Sequence, residues 1–274
     1  VSRKTSSAPL RIAIAGLGAI GLKVAEALDA GIRGCVLSAV AARDLRGAEA
    51  RLAHLQHQVP VVAINALEPL ADIVVECAPA HLLPQIIEPF LRAGKEAIVL
   101  SCGGLLQHDS LIKVARTFGG QIIVPTGALI GLDAVSAAAE GQIRSVHMIT
   151  RKPVKGLIGA PYLIENNIEI ESISKPLLLF KGTARAAAAG FPANLNVAVA
   201  LSLAGIGPDR TTLEIWADPE LDRNTHRVEV NSDSARFSMV IENIPSENPR
   251  TGRITALSVI ACLRKMNAPQ RVGS

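Results

Sequence analysis

The stretch Gly16-Leu17-Gly18-Ala19-Ile20-Gly21 constrains this chain more than any other. It follows the apolar run 11–15 and opens a segment in which Ile20, Val24 and Leu28 recur every four residues. The first run reads as a buried strand, the second as an amphipathic helix. Glycines at this spacing between strand and helix have separate uses. Gly16 permits a tight turn, Gly18 lets the backbone approach an anion, and Gly21 lets the helix lie close on the strand. The first turn of the helix, with Ala19 and Ile20, offers unpaired N–H groups to that anion. A GxGxxG turn alone is weak evidence, because any strand–helix turn can be glycine-rich. Here it stands where a dinucleotide pyrophosphate needs it, so Gly16, Gly18, Ala19, Ile20 and Gly21 are read as cofactor-binding residues.

The surrounding pattern supports that reading. Runs 11–15, 36–42, 72–77, 97–101 and 121–124 read as strands, with helical stretches at 45–56, 81–93 and 109–117 between them. Alternating β and α units imply a parallel sheet covered by helices on both sides. Ile73-Val74-Val75 is apolar on both faces, as a doubly covered strand must be. After about residue 142 the pattern changes. Runs 143–150, 212–217, 226–230 and 236–241 alternate apolar with polar residues and predict a mainly antiparallel sheet with one wet face. Helical segments at 183–189 and 194–203 interrupt them, and a last helix spans 254–266. The fold class is therefore α/β: a doubly wound parallel sheet of the Rossmann type, followed by an α+β second domain. A chain of 274 residues is long enough for two modest domains.

Composition narrows the partners. With 49% apolar and 19% charged residues the chain is globular rather than disordered. Five Phe, Tyr162 and Trp216 are few stacking platforms for a single-stranded nucleic acid. The net charge of +4 is not gathered into any basic tract, which suits a small anionic ligand better than a nucleic-acid backbone. Cys35, Cys77, Cys102 and Cys262 include no CxxC pair, so neither a metal site nor a redox pair is expected, and scattered thiols suit a reducing compartment. The apolar stretch 8–32 imitates a signal peptide or a membrane span, but Arg11, Lys23, Glu26, Asp29 and several glycines interrupt it. No membrane partner is expected, and the reading is cytoplasmic.

The end of the second strand should select the cofactor. NAD sites place a carboxylate there to hold the ribose diol. This strand ends Ala41-Ala42-Arg43-Asp44. Arg43 suits a 2′-phosphate and Asp44 can reach the diol, so both NADP and NAD are expected. The alternative is that Arg43 and Asp44 form a charge pair at a helix start. Cys77-Ala78-Pro79 and Ser101-Cys102-Gly103-Gly104 follow the next strands, where ligands of open α/β sheets bind. Cys77 and Ala78 are thus read as cofactor-binding. Cys102 is either a nucleophile forming a thioester or, the favoured reading, a buried inert thiol.

Several stretches carry a resemblance. They are Pro125-Thr126-Gly127-Ala128-Leu129-Ile130-Gly131-Leu132-Asp133, Thr150-Arg151-Lys152-Pro153, Phe191-Pro192-Ala193-Asn194-Leu195-Asn196-Val197, Ala217-Asp218-Pro219, Arg223-Asn224-Thr225-His226, and Glu242-Asn243-Ile244-Pro245-Ser246-Glu247-Asn248-Pro249-Arg250-Thr251. In this order they resemble the L-aspartate dehydrogenase family. The resemblance implies nicotinamide-dependent oxidation of L-aspartate to iminoaspartate, which supplies NAD biosynthesis or hydrolyses to oxaloacetate and ammonia. It implies a dinucleotide-binding domain at 1–125, with 250–274 packing back on it, and a catalytic and dimerisation domain at 126–249, hence a homodimer. The family's active-site histidine falls on His226. Its cofactor contacts fall on Ala128 and on the FPANLN segment, Asn194 first and Asn196 next. Thr126 stands where Ser is commoner, and Val154 where a second Pro is usual.

The chemistry is consistent with that assignment. Oxidising an amine requires removal of its ammonium proton, and imidazole is the side chain suited to this near neutrality. His54, His57, His81, His108 and His147 sit in helical, loop or alternating surface contexts. One of Asn194 and Asn196 is expected to cap a helix, leaving the other for the carboxamide or the substrate. Two substrate carboxylates need cations, and Arg151, Lys152 and Lys155 are candidates, with a solvated charge run the equal alternative. Rival functions are a reductase of the dihydrodipicolinate reductase or homoserine dehydrogenase type and a non-catalytic dinucleotide sensor.

Overall fold

The computed structural model describes residues 8–192, 195–246 and 252–273. The chain divides into two compact units, one running to Pro125 and including Ala256–Arg271, the other running from Thr126 to Thr255. In the first unit the strands are Leu10–Ala15 (β1), Cys35–Ala41 (β2), Val61–Val62 (β3), Ile73–Glu76 (β4), Glu96–Val99 (β5) and Gln121–Ile123 (β6). All pair in parallel, in the order β3-β2-β1-β4-β5-β6. This is the doubly wound order, whose direction reverses between β1 and β4. Ligands of such sheets bind at that point, outside the carboxyl ends of the strands.

Helices Ala19–Asp29 (α1), Leu45–Leu52 (α2), Leu83–Arg92 (α3), Cys102–Leu105 (α4) and Ser110–Phe118 (α5) connect these strands. Strand β1 alternates large and small side chains between two cores. Ile12 and Ile14 pack with Val24 and Leu28 of α1, while Ala13 and Ala15 join the cluster that holds Phe90 and Leu91 of α3. Phe90 is fully buried, and its truncation to Ala should cost about 3–5 kcal/mol. Helix α2 stops at Leu52, short of the 45–56 expected. The Asp29 carboxylate accepts from the backbone N–H groups of Gln56 and His57 at 2.8 and 2.9 Å, which draws the chain off the helical path.

The second unit holds Leu132–Ala139 (α6), Ile143–Pro153 (β7), Pro161–Glu165 (α7), Leu177–Thr183 (β8), Ala184–Gly190 (α8), Asn196–Ala204 (α9), Thr211–Asp218 (β9), Asn224–Ser232 (β10) and Arg236–Asn243 (β11). The sheet order is β11-β10-β7-β9-β8. It is antiparallel except for one pair, β7 with β9, so the sheet is mixed. Val146, Met148, Leu213, Ile215, Val228 and Val230 share the core. Ser145, His147, Arg227 and Glu229 alternate with them on the opposite, wetter side. Strand β7 runs three residues past Thr150, because Arg151, Lys152 and Pro153 pair with Trp216, Ala217 and Asp218. The last helix, Ile254–Met266 (α10), sends Val259 and Leu263 into the core of the first unit. Among the described residues no helix is long and apolar enough to cross a membrane.

Candidate active site

In the first unit the three glycines of the turn are unlike one another. Gly16 has φ +99°, and a Cβ there would meet the Cys77 carbonyl oxygen at 2.6 Å. A Cβ on Gly21 would overlap the Gly16 carbonyl oxygen. Both therefore serve the close packing of the turn against β4 and α1. A Cβ on Gly18 would meet nothing within 4 Å. Gly18 is also the N-cap of α1, and no side chain among the described residues caps that helix. Its first turn, with Ala19 and Ile20 half-buried, thus presents backbone donors at an uncrowded position. These features fit a dinucleotide diphosphate.

Sequence reasoning passed over Glu76. It ends β4 at the switch point and is fully buried. Its Oε1 accepts from the Ala78 N–H at 3.0 Å and lies 3.0 Å from the Ser101 hydroxyl. Its Oε2 accepts from the N–H groups of Leu100 and Ser101 at 3.2 and 2.9 Å. One carboxylate so ties together the loops after β4 and β5. Burial raises its pKa, and the Ser101, Ala78 and Leu100 hydrogen bonds oppose the rise. The available signal was a lone acid inside Ile73-Val74-Val75-Glu76.

The two cysteines beside it are held as thiols. Burial, then the Glu76 charge, pushes Cys77 well up and Cys102 up to about 12. Cys102 is buried and its thiol points at the Val99 carbonyl at 3.7 Å. It is the inert core thiol rather than a nucleophile. At the end of β2, Asp44 caps α2 by accepting from the Gly47 N–H at 3.0 Å. Arg43 is exposed and has no ion-pair partner among the described residues, so the two do not form a charge pair. Arg51 of α2, also unforeseen, donates to the Leu17 carbonyl of the glycine turn.

In the second unit His226 is the third residue of β10, opposite Thr150 of β7. It is 2% exposed and is the buried one of the six histidines; the other five are exposed or half-buried. Its Nδ1 lies 2.8 Å from the Thr150 hydroxyl. Nε2 has no hydrogen-bond partner among the described residues. Two residues along β7 on the same face stands Lys152, 3% exposed. Burial lowers the Lys152 pKa to about 8. Burial first, and then the Lys152 charge, lowers that of His226 to about 3. An imidazole that titrates near neutrality was expected. The free protein instead holds a neutral one, because burial and a neighbouring ammonium both penalise the imidazolium. To take a proton on Nε2 it must carry its own on Nδ1, donated to Thr150.

The other candidate cations lie elsewhere. Arg151, one residue from Lys152, faces the opposite side and pairs with Asp218 at 2.8 Å. Lys155 is exposed. Ala128 offers its carbonyl to the Asn243 side-chain amide at 2.9 Å. Asn243 closes β11 at the same end of the sheet as His226, and its buried Oδ1 has no hydrogen-bond partner among the described residues. Asn196 opens α9 and is half-buried, whereas the N-cap position is Leu195. Asn196 is therefore not the cap, and Asn194, the other residue expected to serve as one, lies outside the described residues.

Comparison with known proteins covers both units. Residues 133–266 match the family described as aspartate dehydrogenase, C-terminal, and residues 16–125 match homoserine dehydrogenase, NAD binding domain. The L-aspartate dehydrogenase of Bradyrhizobium diazoefficiens is 62% identical over 271 residues, covering 99% of this chain and 96% of that protein. L-aspartate dehydrogenase 3 of Bordetella bronchiseptica is 60% identical over 271 residues, covering 98% and 100%. The crystal structure of aspartate dehydrogenase from Thermotoga maritima superposes with a TM-score of 0.75 at 22% identity, covering 96% and 99%, and shares the fold. The glycine turn on a doubly wound sheet and the buried imidazole on a mixed sheet thus occur in one chain that matches these two relatives over nearly its full length, and the chain belongs to the L-aspartate dehydrogenase family.

Proposed function

We propose that this protein is an L-aspartate dehydrogenase that oxidises L-aspartate to iminoaspartate, which hydrolyses to oxaloacetate and ammonia. One observation carries the reading: a neutral, buried His226, hydrogen-bonded through Nδ1 to Thr150, stands beside the buried ammonium of Lys152. The substrate's ammonium must lose a proton before its Cα–H bond can be broken as hydride. His226 accepts that proton on Nε2 while Thr150 holds the ring through Nδ1. Burial excludes water, so the proton is not exchanged with bulk solvent during the step. When bound, the nicotinamide supplies the hydride acceptor. Gly16, Gly18, Ala19, Ile20 and Gly21 would hold its diphosphate, Cys77 and Ala78 its nicotinamide side, and Ala128, Asn194 and Asn196 its carboxamide end.

Use of both NAD and NADP follows from Arg43, whose exposed guanidinium has no partner among the described residues and is free for a 2′-phosphate. Asp44 serves the diol only with the oxygen its cap leaves over. Arg43→Ala should raise KM for NADP about tenfold, the worth of one charge-assisted contact, and leave KM for NAD unchanged. The remaining parts of the proposal are a homodimer formed through the second unit, a cytoplasmic location and a supply of iminoaspartate to NAD biosynthesis. The deciding experiment offers purified protein L-aspartate, D-aspartate, L-glutamate and homoserine with NAD, and dihydrodipicolinate with NADH. Turnover confined to L-aspartate, with deuterium from its Cα recovered in the reduced dinucleotide, is the expected result. Preference for homoserine or dihydrodipicolinate, or dinucleotide binding without turnover, would refute it.

A further inference from the structure

We infer that Lys152 is the anchor for a carboxylate of the substrate, and that an ion pair there completes the site around His226. The inference rests on the proposed function and adds to it the residue that selects an acidic substrate. Three observations lead to it. The Lys152 side chain is 3% exposed, yet its ammonium has no hydrogen-bond or ion-pair partner among the described residues. Among the described residues no carboxylate offsets its burial. Asp218, the acid at the neighbouring strand end, is engaged by Arg151 at 2.8 Å.

A buried, unpaired ammonium is costly, and chains keep such groups where a ligand supplies the counter-charge. Its place in the sheet says which ligand. Lys152 and Thr150 share the face of β7 that packs with His226, while Arg151 faces away. An anion held by Lys152 therefore lies beside the imidazole that takes the substrate's proton. The same ion pair cancels the repulsion that Lys152 exerts on an imidazolium. Binding of a carboxylate thus readies His226 to accept a proton, and an uncharged substrate would not.

The test compares wild type with Lys152→Met, which keeps the stem and removes the charge, and Lys152→Arg, which restores a charge. Measured with NAD present, Tm of the wild type should rise with added succinate, a diacid without an amine, whereas that of Lys152→Met should not respond. The KM for L-aspartate should rise about 30-fold or more in Lys152→Met, with kcat falling far less, as loss of a buried charge-assisted contact implies. Lys152→Arg should recover part of both. The dissociation constant of NAD should be the same in all three. An unchanged KM with kcat abolished would make Lys152 a proton carrier instead. Weakened NAD binding in Lys152→Met would assign the ammonium to the cofactor. Either result overturns the inference, as does a succinate response that survives in Lys152→Met. Lys152→Met should fold at least as well as wild type, and Lys152→Arg serves if it does not. A wild type that answers to succinate but does not oxidise L-aspartate would sink the proposed function and leave the anchor standing.

Discussion

The two units handle buried charge in opposite ways. In the first, the buried carboxylate at the switch point is saturated: Glu76 is met by three backbone N–H groups and a hydroxyl. In the second, among the described residues, Lys152 is buried without a counter-charge and His226 keeps a single partner. The first arrangement fixes backbone shape, as a surface that holds a cofactor in one pose requires. The second leaves interaction energy unspent until a substrate arrives, and energy released on binding or in the transition state is what catalysis uses. A saturated charge marks scaffold and an unsaturated one marks chemistry.

Substitutions can break this contrast. His226→Asn should lower kcat by about 10²–10⁴, the usual worth of a positioned general base, with NAD affinity unchanged in a binding titration. Gly16→Ala should strike the scaffold, because it adds a Cβ 2.6 Å from the Cys77 carbonyl oxygen at φ +99°. A loss of about 2–4 kcal/mol in chemical denaturation is expected. Gly18→Ala, with nothing within 4 Å, should leave stability intact and weaken only dinucleotide binding.

The pH dependence of stability sharpens the comparison further. The folded pKa of His226, about 3, lies below the unfolded value of about 6.5. The unfolded chain therefore binds the extra proton between those values. Stability from this residue is complete above about pH 6.5 and is lost as pH falls toward 3, by up to a few kcal/mol. Denaturation curves of wild type and His226→Asn should accordingly converge as pH is lowered through that window. Glu76→Gln is a milder change than Gly16→Ala. The amide presents an N–H where a carboxylate oxygen accepted, so about 1–3 kcal/mol should be lost, with a raised KM for the dinucleotide and little effect on kcat.

Much of the first unit was legible before the structure, because its signals are local. Strand runs between glycines, and the four-residue spacing of Ile20, Val24 and Leu28, belong to single elements. Strand β3, two residues long, is too short to show a period. In the second unit β8 was missed, since Leu177-Leu178-Leu179 has no alternation, and α6 was missed because its alanines carry no strong pattern. The site residues were harder for a different reason. Arg151, Lys152 and Lys155 form one basic run until the register of β7 assigns faces, and a shift by one residue would exchange Arg151 and Lys152. Glu76 looked like the polar end of an apolar strand, and its four donors come from residues up to 25 positions away. That His226 is the histidine of interest came from motif resemblance. That it is neutral and buried depends on strands brought together from 76 residues apart.

The proposed chemistry requires a neutral His226 whose Nδ1 carries the proton given to Thr150. Nitrogen-15 NMR of the histidine side chains, with His226 assigned by its loss in His226→Asn, reports both charge and tautomer. In the free protein His226 should remain a neutral Nδ1–H imidazole from pH 8 down to pH 5, by the folded pKa of about 3. A His226 signal that turned to imidazolium within that range, or that showed the proton on Nε2, would contradict the account.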